Sequence, residues 1–153
     1  IIIILTYMIS KTIRTWVYAL LKYKNNIVVI KKWRGPFKWL YDLPGWKIEH
    51  WEKNINSLER EIIEEVWLSE WEFKIEKILT VEEDFIKHIW KWEEKDEHII
   101  AIVYSVNITK SNFDLNYIEK WWDANWLELL SINDKSTPKT NVLQKVLDKI
   151  ERL

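Results

Sequence analysis

A chain of 153 residues with 23 Lys and Arg against 24 Asp and Glu carries a formal charge of −1 at pH 7, which excludes nucleic-acid binding driven by bulk electrostatics. It has no cysteine, so disulfides, zinc–thiolate centres and cysteine nucleophiles are excluded as well. The length suits one domain with a sizeable core.

The chain opens on Ile1-Ile2-Ile3-Ile4-Leu5. This run is too short to span a bilayer, and it has neither a basic leader nor a small-residue cleavage site. Residues 1–7 read as upstream read-through before a start at Met8, or else as an edge strand; residues 8–153 read as the single domain. With no targeting segment, the expected location is the cytoplasm. Residues 16–21 and 27–30 are β-like runs around Lys24-Asn25-Asn26, a hairpin signal. A loop rich in Lys, Arg, Gly and Pro leads through Leu43-Pro44-Gly45 into a carboxylate-rich helix, Arg60-Glu61-Ile62-Ile63-Glu64-Glu65. Asn56 or Ser57 is placed to cap it. Leu58, Ile62, Ile63 and Val66 supply its apolar stripe, and it is expected to stop near position 67. Residues 73–81 read as a strand. The stretch 82–97, acidic and lysine-bearing, reads as a solvated loop. Residues 98–106, the longest apolar run, predict a central strand. Residues 127–132 predict another. A last helix covers about 141–153, with Val142, Leu143, Val146, Leu147 and Ile150 at helical spacing. Strands mixed with two helices in one domain indicate an α/β sandwich.

Glu61 and Glu65 lie four apart, which places them on one helical face beside Glu64. Like charges crowded in this way destabilise a bare helix. Hard carboxylate oxygens in a cluster suit Mg²⁺ or Mn²⁺.

Residues 45–68 also resemble the signature of the Nudix hydrolase family, G-x5-E-x7-R-E-U-x-E-E-x-G-U, where U is a bulky aliphatic. Glu52, Arg60, Glu61, Ile62, Glu64, Glu65 and Leu68 fall in register. The two signature glycines are Trp46 and Trp67, and Trp51 stands where many members have Gly. The resemblance implies a Nudix-like α/β/α sandwich with a mixed β-sheet. It implies hydrolysis of the diphosphate bond of a nucleoside diphosphate linked to another moiety, with Mg²⁺ (or Mn²⁺) as cofactor. Glu61, Glu64 and Glu65 would be the metal ligands. Glu65, or a carboxylate from elsewhere, would activate water. Arg60 would orient the catalytic carboxylates and Glu52 would brace the loop or a metal-bound water. The backbone carbonyl at position 46 often joins the metal shell in the family. For a general base beyond the signature, Glu82, Glu83, Glu93, Glu94 and Glu97 stay open. For stacking on a base, Phe37, Tyr41, Phe85 and Tyr104 are available, and His98 could face the site. The implied partner is a small-molecule nucleotide, with no membrane and no bulk nucleic acid. A homodimer is possible by the resemblance, although no interface signal is visible.

Twelve Trp and two Gly is itself a signal, because an average chain of this length has about eleven Gly. Trp and Gly share almost no chemistry, so drift does not exchange them at motif positions. Trp33, Trp121-Trp122-Asp123 and Asn125-Trp126 become ordinary loop and turn punctuation if Gly is restored. The expectation is that the gene reads UGA as Gly and that the sequence translates it as Trp. A truly Trp-rich protein that stacks on sugars or bases is the alternative. A Nudix-fold binding or regulatory protein without turnover is a further rival, against which the intact carboxylates argue.

Overall fold

The computed structural model describes residues 9–115 and 126–151. The first hairpin is β1 (Ser10–Tyr23) and β2 (Asn26–Lys31), with Lys24 in the left-handed region at the turn. Two short strands follow, β3 (Tyr41–Asp42) and β4 (Gly45–Lys47), and then α1 (Asn54–Glu61), which continues into a π-helical turn over Ile62–Val66. A 3₁₀ turn at Glu70–Glu72 leads to β5 (Phe73–Trp90), β6 (Glu93–Ile108), β7 (Trp126–Ser131) and α2 (Asn141–Ile150). The read-through or edge strand at residues 1–7 and the turn signals at 121–125 lie outside the described residues.

The sheet runs β3-β2-β1-β6-β5, with β4 on β1 and β7 on β2. It is mixed: β1 and β6 are parallel from Ser10↔Lys95 to Lys22↔Asn107, and the other named pairs are antiparallel. Strand alternation sends Val17, Ala19 and Leu21 to one face, where Leu58, Ile62 and Val66 of the first helix cover them. It sends Trp16, Tyr18 and Leu20 to the other, where Val142, Leu143, Val146 and Leu147 of α2 pack. One helix on each face of a mixed sheet is the α/β/α sandwich that the resemblance implied.

Three local expectations are corrected. Residues 82–97 are not a solvated loop: they complete a long hairpin whose inward side buries Glu82, Asp84, Ile86 and Glu97. The charged inward positions are tolerated because each has a partner: Lys149 for Glu82, Asn141 for Asp84, and Arg14 and His88 for Glu97. The first helix starts at Asn54 after Lys53 and has no side-chain cap, so neither Asn56 nor Ser57 caps it. Ser57 is buried instead and accepts from Arg60 Nη2 at 3.3 Å. Ile63 falls outside the apolar stripe and is exposed.

Candidate active site

The site begins at a glycine. Gly45 has φ +142°, and a Cβ there would sit 2.0 Å from the carbonyl oxygen of Val17. Only Gly lets β4 close against β1, with Tyr18↔Gly45 in register. The adjoining Pro44 carbonyl accepts from the Ala19 amide at 2.8 Å. The Gly45 amide, thus fixed, donates to Glu65 Oε2 at 2.8 Å. The turn and the carboxylate helix are therefore joined directly.

Arg60 organises the other acids. Its Nε and Nη2 donate to Glu52 Oε1 and Oε2 at 2.9 and 3.0 Å, a two-point fork. Its Nη1 donates to Glu61 Oε1 at 2.6 Å and to Glu64 Oε2 at 3.3 Å. The hydrogen bonds from Arg60 hold the Glu52 carboxyl down at about 2. Glu61 is buried, and burial pushes its carboxyl up against the pull of Arg60. Glu65 is only partly covered by its neighbours, yet its carboxyl lies deep enough for burial to push it up to about 7, against Lys32 and the Gly45 amide. Glu64 stays at the rim with 59% of its side chain exposed.

These residues form one end of a cavity of about 760 Å³, lined by Arg60, Glu61, Glu64 and Glu65. Trp16, Phe37 and Trp46 form an aromatic wall: Trp46 stacks on Trp16 with centroids 5.2 Å apart, and Phe37 meets Trp16 edge-on at 6.3 Å. Arg14, His88 and Glu97 line the cavity too, Glu97 joining Arg14 at 2.6 Å and His88 at 3.1 Å.

The structure thus brings Arg60, Glu61, Glu64 and Glu65 to one cavity, with Glu52 behind Arg60. Of the five open general-base candidates, Glu97 lines the cavity; Glu82 pairs with Lys149, Glu83 faces His98 at 3.3 Å, and Glu93 pairs with Lys95. Glu94 is not among the lining residues. Of the aromatic candidates, Phe37 lines it. Tyr41 is buried and donates to Glu128 at 2.8 Å, Tyr104 is buried and accepts from Asn54 at 2.8 Å, and Phe85 stacks on His98 with centroids 4.4 Å apart. Phe85 and His98 are absent from the cavity lining.

Sequence reasoning missed Lys32, Arg14 and His88 at the cavity, and Asp42 behind it. Asp42 is fully buried and accepts from Tyr18, Leu43 and Thr140, and burial raises its carboxyl. Nothing in its local sequence distinguishes it from a loop Asp. The one available signal for Lys32 is a basic residue directly after an apolar strand.

A divalent cation is the group this carboxylate set would take. The donor chemistry fits: Glu61 and Glu65 present hard oxygens at the cavity wall, and burial raises both carboxyls against the pull of Arg60 on Glu61 and of Lys32 on both. Among the described residues no three His, Cys, Asp or Glu side chains are already gathered as a cage. Arg60 draws Glu61 and Glu64 to itself, and the Gly45 amide draws Glu65.

The sequence matches no family model and no curated protein. Solved structures do match the fold. A Nudix hydrolase from Nitrosomonas europaea superposes with a TM-score of 0.67 at 14% identity, over 92% of this chain and 90% of that one. An ADP-ribose pyrophosphatase from Streptococcus suis gives 0.59 at 11% identity, over 92% of both chains. An Ap4A hydrolase from C. elegans gives 0.57 at 10%, over 91% of this chain and 96% of that one. With the strand order, the two covering helices and the carboxylate helix behind the Pro44-Gly45 turn, these likenesses give the chain the fold of the Nudix hydrolases.

Proposed function

We propose that this protein is a pyrophosphohydrolase that cleaves the diphosphate bond of a nucleoside diphosphate linked to another moiety, using Mg²⁺ or Mn²⁺. The observation that carries the reading is the pair Glu61 and Glu65: two desolvated carboxylates on the wall of a cavity large enough for a nucleotide. Glu61 and Glu65 would hold the cation, with Glu64 as the third ligand at the rim. A bound divalent cation neutralises diphosphate charge and lowers the pKa of water. Glu65, fixed on the cavity wall by the Gly45 amide, or a carboxylate from elsewhere, would accept a proton from the attacking water. Arg60 keeps Glu61 and Glu64 oriented, and Glu52 fixes Arg60. Phe37, the ring of the cavity wall that is not a Trp, is suited to a nucleobase. The reading agrees with the activities for which the ADP-ribose pyrophosphatase and Ap4A hydrolase neighbours are named, without selecting either substrate. Hydrolysis of a panel of nucleoside diphosphate derivatives, with Mg²⁺ and with chelator, tests the reading. Metal-dependent release of a nucleoside monophosphate supports it; nucleotide binding without turnover on any compound moves the assignment to a regulatory protein. A cytoplasmic location belongs to this proposal; no helix among the described residues is long and apolar enough to cross a membrane.

A second reading concerns the covalent chain, and a specific observation favours it. Of the six non-glycine residues with positive φ among the described residues, four are Trp39, Trp51, Trp67 and Trp92, at 60° to 70°. L-residues with a large side chain rarely adopt this region, and Gly adopts it freely. Trp67 ends the carboxylate helix in the left-handed conformation, the position where Gly is the usual residue. We infer that these positions are Gly in the native polypeptide, as a UGA-Gly code would make them. Mass spectra of native peptides spanning 45–52 and 60–70 decide it: Trp there ends the idea.

A further inference from the structure

The outer row of the edge strand is complementary to its own reverse. Among the described residues β5 pairs with β6 alone and ends the sheet. From Val81↔Ile102 to Trp90↔Glu93 the register is unbroken, so side chains alternate between the two faces. Glu82, Asp84 and Ile86 are buried on the side of α2. The other side carries Val81, Glu83, Phe85, Lys87 and Ile89, all exposed. Its three apolar members, Val81, Phe85 and Ile89, are 53%, 69% and 74% exposed. The first helix covers this face of the sheet at Val17, Ala19 and Leu21 and leaves Ile13, in line with Phe85 across β6, exposed. Lys87 makes no ion pair among the described residues, and Glu83 faces His98.

The same residues turn their main-chain groups to the free edge. The Phe85 amide donates to Asp84 Oδ1 at 3.0 Å, and the Glu83 carbonyl accepts from Lys145 Nζ at 2.6 Å, where a neighbouring strand would stand. Side chains thus cap the edge of the single chain. Both caps are replaceable: Asp84 Oδ1 also accepts from Asn141 Nδ2 at 3.1 Å, and Lys145 is exposed to solvent.

We propose that β5 pairs with the β5 of a second copy of this chain, antiparallel, about a two-fold axis at Phe85. Phe85 then opposes the partner's Phe85, Glu83 opposes the partner's Lys87, and Val81 opposes the partner's Ile89, each contact made twice by symmetry. The partner's Phe85 carbonyl replaces Asp84 on the Phe85 amide, and the partner's Lys87 amide replaces Lys145 on the Glu83 carbonyl. Charge selects this register. An axis at Glu83 or at Lys87 sets like charges against each other, and an axis one residue to either side of Phe85 sets charges against apolar side chains. None of the paired residues is Trp, so the inference is independent of what occupies the Trp positions. It is also independent of the catalytic reading, because the cavity residues His88 and Glu97 lie on the opposite face of these strands.

The test is sedimentation equilibrium over a concentration series, with fold checked by circular dichroism. The unaltered chain passes from its monomer mass of 18.8 kDa to twice that mass. Glu83→Lys alone and Lys87→Glu alone each raise the dissociation constant by about tenfold or more, because two attractive cross-strand pairs become two repulsive ones. The double exchange, Glu83→Lys with Lys87→Glu, restores the dimer, since the pairs form again with their signs reversed. Cross-linking reads the register. The chain has no cysteine, and facing residues of a hydrogen-bonded antiparallel pair have Cα atoms about 5.5 Å apart, within reach of a disulfide. Phe85→Cys therefore forms a covalent dimer under mild oxidation. Glu83→Cys, which faces the partner's Lys87 and not its own image, stays uncross-linked. A monomer at every concentration overturns the proposal and leaves the row to a different partner. A dimer indifferent to both charge reversals, or cross-linked as readily at position 83 as at 85, overturns this edge as the interface.

Discussion

The Gly45 amide and the Glu65 carboxylate, twenty residues apart in sequence, meet in a 2.8 Å hydrogen bond that fastens the Pro44-Gly45 turn to the carboxylate helix. The glycine is held by its close approach to Val17, so the bond orients Glu65 from a rigid point. Replacing Glu65 by Gln keeps the shape and leaves one side-chain oxygen to accept from Gly45. Turnover is expected to fall by about 10²–10⁴-fold, the span of a lost general acid–base group, with the fold retained. Steady-state hydrolysis beside far-UV circular dichroism checks this; activity within a few-fold of the unaltered chain removes Glu65 from the chemistry.

Arg60 is a fork, and its value lies in geometry. A lysine in its place would keep the charge and lose the simultaneous grip on Glu52 and Glu61. Arg60→Lys is expected to lower kcat by about tenfold or more while changing stability by about 1 kcal/mol. Chemical denaturation and kinetics on one preparation separate the two effects. A variant with unchanged kcat would show that charge alone suffices.

The acid–base behaviour of Glu65 gives stability an unusual slope. Its folded pKa of about 7 lies above its ordinary 4.5. Between these values the folded state binds more protons than the unfolded state, so stability falls as pH rises through the window. Allowing for the partial exposure of Glu65, the loss is about 1–3 kcal/mol. In chelator, Tm should drop from pH 5 to pH 8, and Glu65→Gln should flatten that drop. Added Mg²⁺ should restore stability at the upper end, where the carboxylates are charged. Melting curves at several pH values with and without Mg²⁺ test all three.

Left-handed tryptophans carry strain that glycine removes. Trp51 is 93% exposed at φ 67°, and Trp67 closes the helix at φ 60°. Each change, Trp51→Gly and Trp67→Gly, should stabilise by about 1 kcal/mol, the cost of the left-handed region for an L-residue. Urea unfolding measures it directly. Lower stability in both variants would mean that the indoles contribute contacts worth more than the strain.

On the buried face of the first helix, Leu58→Ala should cost about 2–5 kcal/mol, because Leu58 is fully buried beneath the sheet. Ile63→Ala, on the exposed side, should change stability by about 0.5 kcal/mol or less. Equal costs would contradict the packing described for this helix.

How far the sequence speaks depends on how local each signal is. The carboxylate helix is legible because its acids repeat at helical spacing behind a Pro-Gly turn, and all four cavity-lining signature residues lie within six positions. The hairpin of β5 and β6 is illegible at residues 82–97 because its inward row is charged. Glu82, Asp84 and Glu97 imitate a solvated loop until α2 and β1 supply Lys149, Asn141 and Arg14. Lys32, Arg14 and His88 are far apart in the chain, and no spacing rule connects them. Asp42 meets Thr140 across 98 residues, a contact no local pattern encodes. The helix cap is misplaced from sequence because Ser57 is a good capping residue that burial claims for Arg60 instead.

The parallel pairing of β1 with β6 also governs how the protein comes off the ribosome. The strand nearest the start of the described chain has its long partner at Glu93–Ile108, so the middle of the sheet stays open while the first helix and the whole of β5 are made. Val17, Ala19 and Leu21 can meet Leu58 and Ile62 early, but their sheet has only its first hairpin and β4 until β6 emerges. A contact map so dominated by distant partners sets a slow folding step late in synthesis. Pauses or truncations before residue 108 would leave an apolar half-sheet for chaperones to hold, whereas a chain cut after β6 would already have its central ladder.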